Sequence, residues 1–446
     1  MLVLGILALA VFLLGATAND TGQKGRKPIE PSLASSEANA FHIFNAIQSA
    51  GRLWGSALRH NGFSFFPAVM AKGTLLYHGD RHEQPPAGPE WLAFGIEHAE
   101  MFSRSHEKGQ RQVQQQVRGL WEREEGGKNN SRGYLQMYTA NRDVLLLYLD
   151  GMAAAKSHVG TLDSQDLVLR ENRTGPWSDK MDELGRVRDI CQIVIAWGFD
   201  GFVRSEIGHE VVYCDLSNGL NLLSSTRSFM PQDRLSAARL LLYQMARTAS
   251  HEYDGLPRGQ LRLDFSSMVS GFFFPIDISS TNPERPDLMR LGSASLNELK
   301  DIKSYLQDIC LRPRRFTIDW QAITDSVVLR FSDWLALITT DKLSIGEFLE
   351  ELGRITMLYI DAPSLPGDIY GEAKNHSEAF QRCKRHYLTP TYLVRKEWNA
   401  DDYYIHAAVQ AVTSDICQII LETRASFAAL GRPRVATGVQ IQMGPA

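Results

Sequence analysis

Residues 74–102 read TLLYHGDRHEQPPAGPEWLAFGIEHAEMF, and the fold class turns on this stretch. Residues 74–78 alternate, with Leu75 and Tyr77 on one face and Leu76 and His78 on the other. That period predicts a short strand ending at His78-Gly79. Pro85, Pro86, Gly88 and Pro89 make a loop. Residues 91–94 read as a second short strand, and 97–102 as the start of a helix closed by Phe102. His78, Gly79, Trp91 and Phe102 are then expected to line one cleft. A third segment, GHEVVYCD at 208–215, sets Glu210 at the head of another apolar strand. One His, two aromatics and a carboxylate on adjacent strands suit a flat heteroaromatic ring carried on a ribose.

Before this stretch, Phe44, Ile47, Trp54 and Leu58 recur near the helical period and predict a helix over 36–58, ended by a turn at Asn61-Gly62. After it, 103–132 is polar and reads as a solvated insertion. Residues 134–140 alternate as a strand. VLLLYL at 144–149 is a strand covered on both faces, stopped by Asp150-Gly151. Residues 160–179 lack periodicity and read as a long loop, where an acceptor would enter. Leu184, Val187, Ile190, Cys191 and Val194 mark a helix ending at Gly198. Strands follow at 201–204, 210–216 and 220–223.

From about Leu235 the pattern becomes helical. Ser295 to Glu298 and Ser344 to Glu347 have capping-box spacing. Apolar stripes run through Leu299, Ile302, Leu306 and Ile309, then Trp320, Ile323, Val327, Phe331 and Leu335. Others run through Phe348, Leu352 and Ile355, then Ile405, Ala408, Val412, Ile416 and Ile419. The fold class is therefore α+β: a flexible lead at 19–35, an α+β domain over 36–225, an all-α domain over 226–430 and a loose tail at 431–446.

Composition narrows the function. The net charge of −4 gives no basic footprint, so no nucleic-acid partner is expected. The five cysteines form no CxxC pair, and no metal site is expected. They allow one or two disulfides, with the pairing open. Cys214 is expected to be buried and inert. Leu2 to Leu14 is apolar and precedes Ala16-Thr17-Ala18, a small-x-small cleavage pattern. Residues 1–18 are thus a signal peptide, cut before Asn19, and too short for the roughly 20 residues that span a bilayer. An uncleaved anchor is the alternative. No stable membrane span is expected after cleavage. Asn19, Asn129, Asn172 and Asn375 begin glycosylation sequons. GxSxG, HExxH, P-loop and GxGxxG motifs are all missing.

LLYHG at 75–79 resembles the first strand of ADP-ribosyltransferases of the diphtheria-toxin and poly-ADP-ribose-polymerase branch, which ends in His-Gly. Trp91-Leu92-Ala93-Phe94 with Phe102 is similar to the family's Tyr-Phe-Ala strand and its later helix aromatic. GFDGFV at 198–203 resembles the Gly-x-Asp-Gly entry to the late strands, and EVVYCD at 210–215 the Glu-led strand. The order along the chain agrees with the family, over about residues 70–225.

The resemblance implies a split-sheet fold and NAD as substrate. It implies that His78 bonds the adenosine-ribose hydroxyl, the Gly79 backbone holds the nicotinamide amide, and Phe102 stacks on the nicotinamide. Trp91 takes the place of the triad tyrosine. Glu210 bonds the nicotinamide-ribose 2′-hydroxyl and stabilises the oxocarbenium-like transition state. Trp91 and Phe102 both stand where the family has tyrosines, so stacking is kept and hydroxyls are lost. Glu206, four residues earlier, is the alternative acid. The expected function is secreted, NAD-dependent ADP-ribosyl transfer to an unknown acceptor, or NAD glycohydrolysis. The alternatives are a relative that keeps the pocket without turnover, and an interaction protein acting through its helical half.

Overall fold

The computed structural model of the 446-residue chain describes residues 26–53, 61–103, 133–171, 181–228, 233–256, 259–280, 282–340, 342–361 and 369–430. The proposed signal segment, the polar insertion from 104, the tail from 431, and Asn19, Asn129 and Asn172 lie outside them. Asn375 falls in the helix Ile369–Arg385.

Two helices open the fold, α1 (Leu33–Ala38) and α2 (Ala40–Ser49). The single helix expected over 36–58 is broken at Asn39, whose φ of −103° and ψ of 21° are not helical. Ile43, Phe44 and Ile47 do face the core. Trp54 and Leu58 lie outside the described residues.

Asn61-Gly62 is not a turn. It begins strand β1 (Asn61–Met70), which is buried along most of its length. A Cβ on Gly62 would come within 2.1 Å of the Asp150 main chain, so the glycine serves a close approach of two strands. Pro67 sits inside β1, and its carbonyl accepts from Asp264 N at 2.7 Å. A strand residue points its N and O to the same side. The absent N–H therefore falls on the side away from β5 (Val144–Gly151), where β1 passes from one short partner strand to another.

The remaining strands are β2 (Leu75–Asp80), β3 (Glu90–Ala93), β4 (Tyr134–Ala140), β6 (Gly201–Ser205), β7 (His209–Tyr213), β8 (Leu220–Arg227), β9 (Leu261–Leu263) and β10 (Val269–Ser270). They form one ten-stranded mixed sheet in the order β10-β1-β5-β6-β7-β3-β2-β4-β8, with β9 beside β1. Among the described strands only β5 and β6 pair in parallel. Between them the chain passes through a π-helical turn (Ser164–Leu169) and helix α4 (Glu183–Ala196). The loop expected over 160–179 is thus helical in part. Ser164, Gln165, Val168 and Leu169 are buried, and residues 172–180 of the expected loop lie outside the described residues. The sheet is pinched in the middle: β2 meets β3 at one pair, Tyr77↔Ala93, whereas β2 pairs with β4 from Leu75 to Asp80. A short helix, α3 (Ile96–Glu100), follows β3.

The second half of the chain is mostly helical: α5 (Arg234–His251), α6 (Leu296–Cys310), α7 (Trp320–Ile338), α8 (Ile345–Thr356), α9 (Ile369–Arg385) and α10 (Ala400–Leu430). Both expected capping boxes form, Ser295 with Glu298 and Ser344 with Glu347. The all-helical 226–430 is corrected, because β9 and β10 join the sheet through β1. Helices α1 and α2 in turn pack on α10, and one continuous hydrophobic cluster covers both halves. Leu335 and Ile419 turn outward, and Trp334 and Ile420 take the buried places beside them. Helix α10 is long and apolar enough to cross a membrane by length and composition, but it packs in this core.

Two disulfides form, Cys191–Cys214 between α4 and the end of β7, and Cys383–Cys417 between α9 and α10. Cys214 is therefore buried, as expected, but bonded. Cys310 is free and buried.

Candidate functional site

The site is built at the pinch. Tyr77, Ala93, Glu210 and Arg204 are successive ladder partners across β2, β3, β7 and β6, so they share one face of the sheet. Trp91, two residues before Ala93, shares it too. Its ring lies 4.5 Å from that of Phe102 at 66°, edge to face. Phe102 arrives there because α3 folds back over β2. A Cβ on Gly79 would sit 2.1 Å from Ala99 O and 2.6 Å from Ser103 N, so only glycine lets α3 come down this far.

His78 belongs to the opposite face by the pleat, yet it closes the pinch. Its Nδ1 is 2.8 Å from Trp91 O, and its ring is 5.5 Å from the indole. A carbonyl can only accept, so Nδ1 carries the proton and Nε2 is left as an acceptor. Burial holds the imidazole at about 4, well below its usual 6.5, and it is neutral at pH 7. The structure thus gathers His78, Trp91 and Phe102 and sets Gly79 beneath Phe102. It places Glu210 on the Trp91 face, one ladder pair away.

Glu210 is nearly buried and does not stand alone. Arg204 Nε donates to its Oε2 at 3.1 Å, and the same guanidinium bonds Glu183 on α4 and Gln165 on the π-helical turn. Lys156 reaches Glu183 at 3.0 Å. Burial alone would raise Glu183, but the charges of Arg204, Lys156 and Arg186 outweigh it and hold the carboxyl at about 2. Glu206, in the β6–β7 turn, is pushed up to about 7 by burial and by Glu210.

Behind this face lies a second polar group. Glu252, just past α5, accepts from both the main-chain N and the Nδ1 of His209. His98 on α3 is buried beside Trp91 and Phe102, at 5.7 and 6.1 Å between ring centroids. Among the described residues no group of three or more His, Cys, Asp or Glu could hold a metal ion.

Sequence reasoning missed Arg204, Glu183, Lys156 and the His209–Glu252 pair. Arg204 had a local signal: it is the one charged residue in the apolar strand GFVRS, and a buried strand arginine requires carboxylates. Glu252 had none, since only the tertiary fold brings α5 to β7.

The family described as the YPL277C N-terminal domain matches residues 35–133 and 121–242, which span the segment from α1 into α5 and hold the whole pinch. Two Saccharomyces cerevisiae proteins are similar. "Uncharacterized protein YPL277C" is 34% identical over 220 residues, 44% of this chain and 45% of the yeast protein. "Uncharacterized protein YOR389W" is 33% identical over 219 residues, 44% of this chain and 35% of the yeast protein. The chain thus spans less than half the length of these curated relatives. No solved structure matches.

Proposed function

We propose that this chain is an ADP-ribosyltransferase-like protein that takes NAD as substrate, either transferring ADP-ribose to an acceptor or hydrolysing NAD. The observation that carries the reading is the ladder Tyr77↔Ala93↔Glu210, which brings a carboxylate, the Trp91–Phe102 pair and the pinched His78 strand to one place. The short pairing of β2 with β3, at Tyr77↔Ala93 alone, supports reading the sheet as split there.

The chemistry suits these groups. As the bond from the ribose carbon to nicotinamide breaks, its electron pair leaves with the ring and positive charge develops on the sugar. The fixed Glu210 carboxylate stabilises that charge. Phe102 and Trp91 offer aromatic surface to the cationic ring before it leaves. His78 Nε2, fixed as an acceptor, meets a ribose hydroxyl. The acceptor, or water, supplies the new pair to the sugar carbon and gives up its proton. Two disulfides and the apolar segment before Asn19 favour an oxidising, secretory setting.

One observation favours a second reading, a pocket that binds NAD without turnover. Arg204 already occupies Glu210 Oε2, and Trp91 and Phe102 lack the hydroxyls of the tyrosines at the corresponding positions of the ADP-ribosyltransferases that the sequence resembles.

Nicotinamide release from NAD by the full chain and by Glu210→Gln separates the two. Release that falls ~10²-fold or more in the variant supports the enzyme. NAD binding by calorimetry without release supports the pocket alone. Neither binding nor release overturns both.

A further inference from the structure

We propose that Glu252 is a positioning residue for Glu210, supplied from beyond the matched family segment, which ends at residue 242. The inference rests on the NAD reading above.

Glu252 and His209 are both fully buried. One oxygen, Glu252 Oε2, accepts from the His209 main-chain N at 2.6 Å and from its ring Nδ1 at 2.9 Å. This two-point grip fixes the backbone and the ring of the residue directly before Glu210. The same carboxylate also lies at the start of α3, where a Cβ on Gly95 would be 3.4 Å from Oε1. A Cβ on Gly208 would be 2.7 Å from His98 Nδ1, so α3 and the β6–β7 turn are packed without a gap. Glu252 thus bonds the strand that carries Glu210 and lies beside the start of the helix that delivers Phe102.

A buried carboxylate is a poor choice for stability alone, since desolvating it costs several kcal/mol. Burial opposes the charge of Glu252, and the bonds and charge of His209 outweigh it, with a smaller contribution from His98. Glu252 Oε1, His98 Nδ1 and His209 Nε2 have no hydrogen-bond partner among the described residues. The side-chain hydrogen bonds that Glu252 makes within the described residues all go to His209. A site that spends its hydrogen bonds on one residue, next to the acid, is arranged for geometry.

The test compares the full chain with Glu252→Gln and His209→Phe, reading kcat for nicotinamide release, NAD affinity and thermal midpoint. Glu252→Gln keeps the shape and one acceptor oxygen. Its kcat is expected to fall about ten-fold, with NAD affinity and midpoint close to the parent's, because a small misplacement of a reacting group costs rate before binding. His209→Phe keeps the main-chain bond and loses the ring bond, and it is expected to fall in the same direction by less. Parental kcat in Glu252→Gln overturns the inference and leaves the NAD reading standing. So does a loss of affinity and midpoint in step with kcat, which marks a purely structural role. A parent that neither binds nor turns over NAD removes the NAD reading and this inference together. If Glu252→Gln fails to fold, His209→Phe decides: a parental kcat in that variant also overturns the positioning role.

Discussion

Arg204 Nε stands 3.1 Å from Glu210 Oε2 across the β6–β7 ladder, and the same guanidinium bonds Glu183 on α4. Arg204 is buried, so this is no surface ion pair that solvent can replace. Three elements, β6, β7 and α4, meet on one charge. The residue that holds the candidate acid therefore also holds the sheet to its covering helix.

Removing that charge leaves Glu210 without its cation and takes one of three from Glu183, which keeps Lys156 and Arg186. Arg204→Gln is expected to destabilise the fold by about 3 kcal/mol or more. The denaturant midpoint measures it, and the double variant Arg204→Gln, Glu210→Gln is expected to recover part of the loss. A single variant as stable as the parent would show that the pair contributes nothing.

Gly79 lies under α3 with main-chain atoms where a side chain would go. Gly79→Ala is expected to push α3 off β2, costing about 3 kcal/mol as overpacking does. Phe102 should separate from Trp91 in the same step. Thermal melting reads the first effect and Trp fluorescence the second; unchanged fluorescence would place the aromatic pair outside this contact.

His78 sets a pH dependence. Its folded value of about 4 lies below 6.5. The stability it contributes is therefore present above pH 6.5 and is lost as pH falls through 4. The shift corresponds to about 3 kcal/mol at most. His78→Gln keeps a donor for Trp91 O and cannot titrate. Denaturant midpoints between pH 7 and 4 should fall more steeply in the parent than in the variant. Parallel curves would mean that His78 titrates normally.

Thiol counting tests the covalent frame. The chain has five cysteines, two disulfides and one buried thiol, Cys310, whose pKa burial pushes up to about 12. Alkylation of the native protein should label none, of the denatured unreduced protein one, and of the reduced protein five. Cys191→Ser with Cys214→Ser should cost about 3 kcal/mol, from the loop entropy of a separation of 23 residues. Reactive Cys310 in the native state would contradict its burial.

Much of the fold was legible in local sequence. Leu75 to His78 announced a strand because the side-chain period of a strand is two, and Val144 to Leu149 because an unbroken apolar run marks a strand covered on both faces. Ser295 and Ser344 announced helix starts because the capping box is a contact between residues three apart. The order His78, Trp91, Phe102, Glu210 was also readable. What failed were readings whose cause lies far along the chain. Asn61-Gly62 resembles a turn until Asp150 is seen to need a strand without a side chain beside it.

The sequence by itself announced the strands near 75–78, 91–93, 134–140 and 144–149, the capped helices that start after Ser295 and Ser344, and which residue types surround the pinch, because these follow from spacing within a few residues. Only the tertiary structure decided that 261–270 completes the sheet, that Cys191 pairs with Cys214, that Arg204 spans Glu183 and Glu210, and that Glu252 grips His209. Each of these contacts joins elements that local periodicity treats as independent. Burial makes each of them obligatory, since a charge or a strand edge removed from water must find its partner inside the protein.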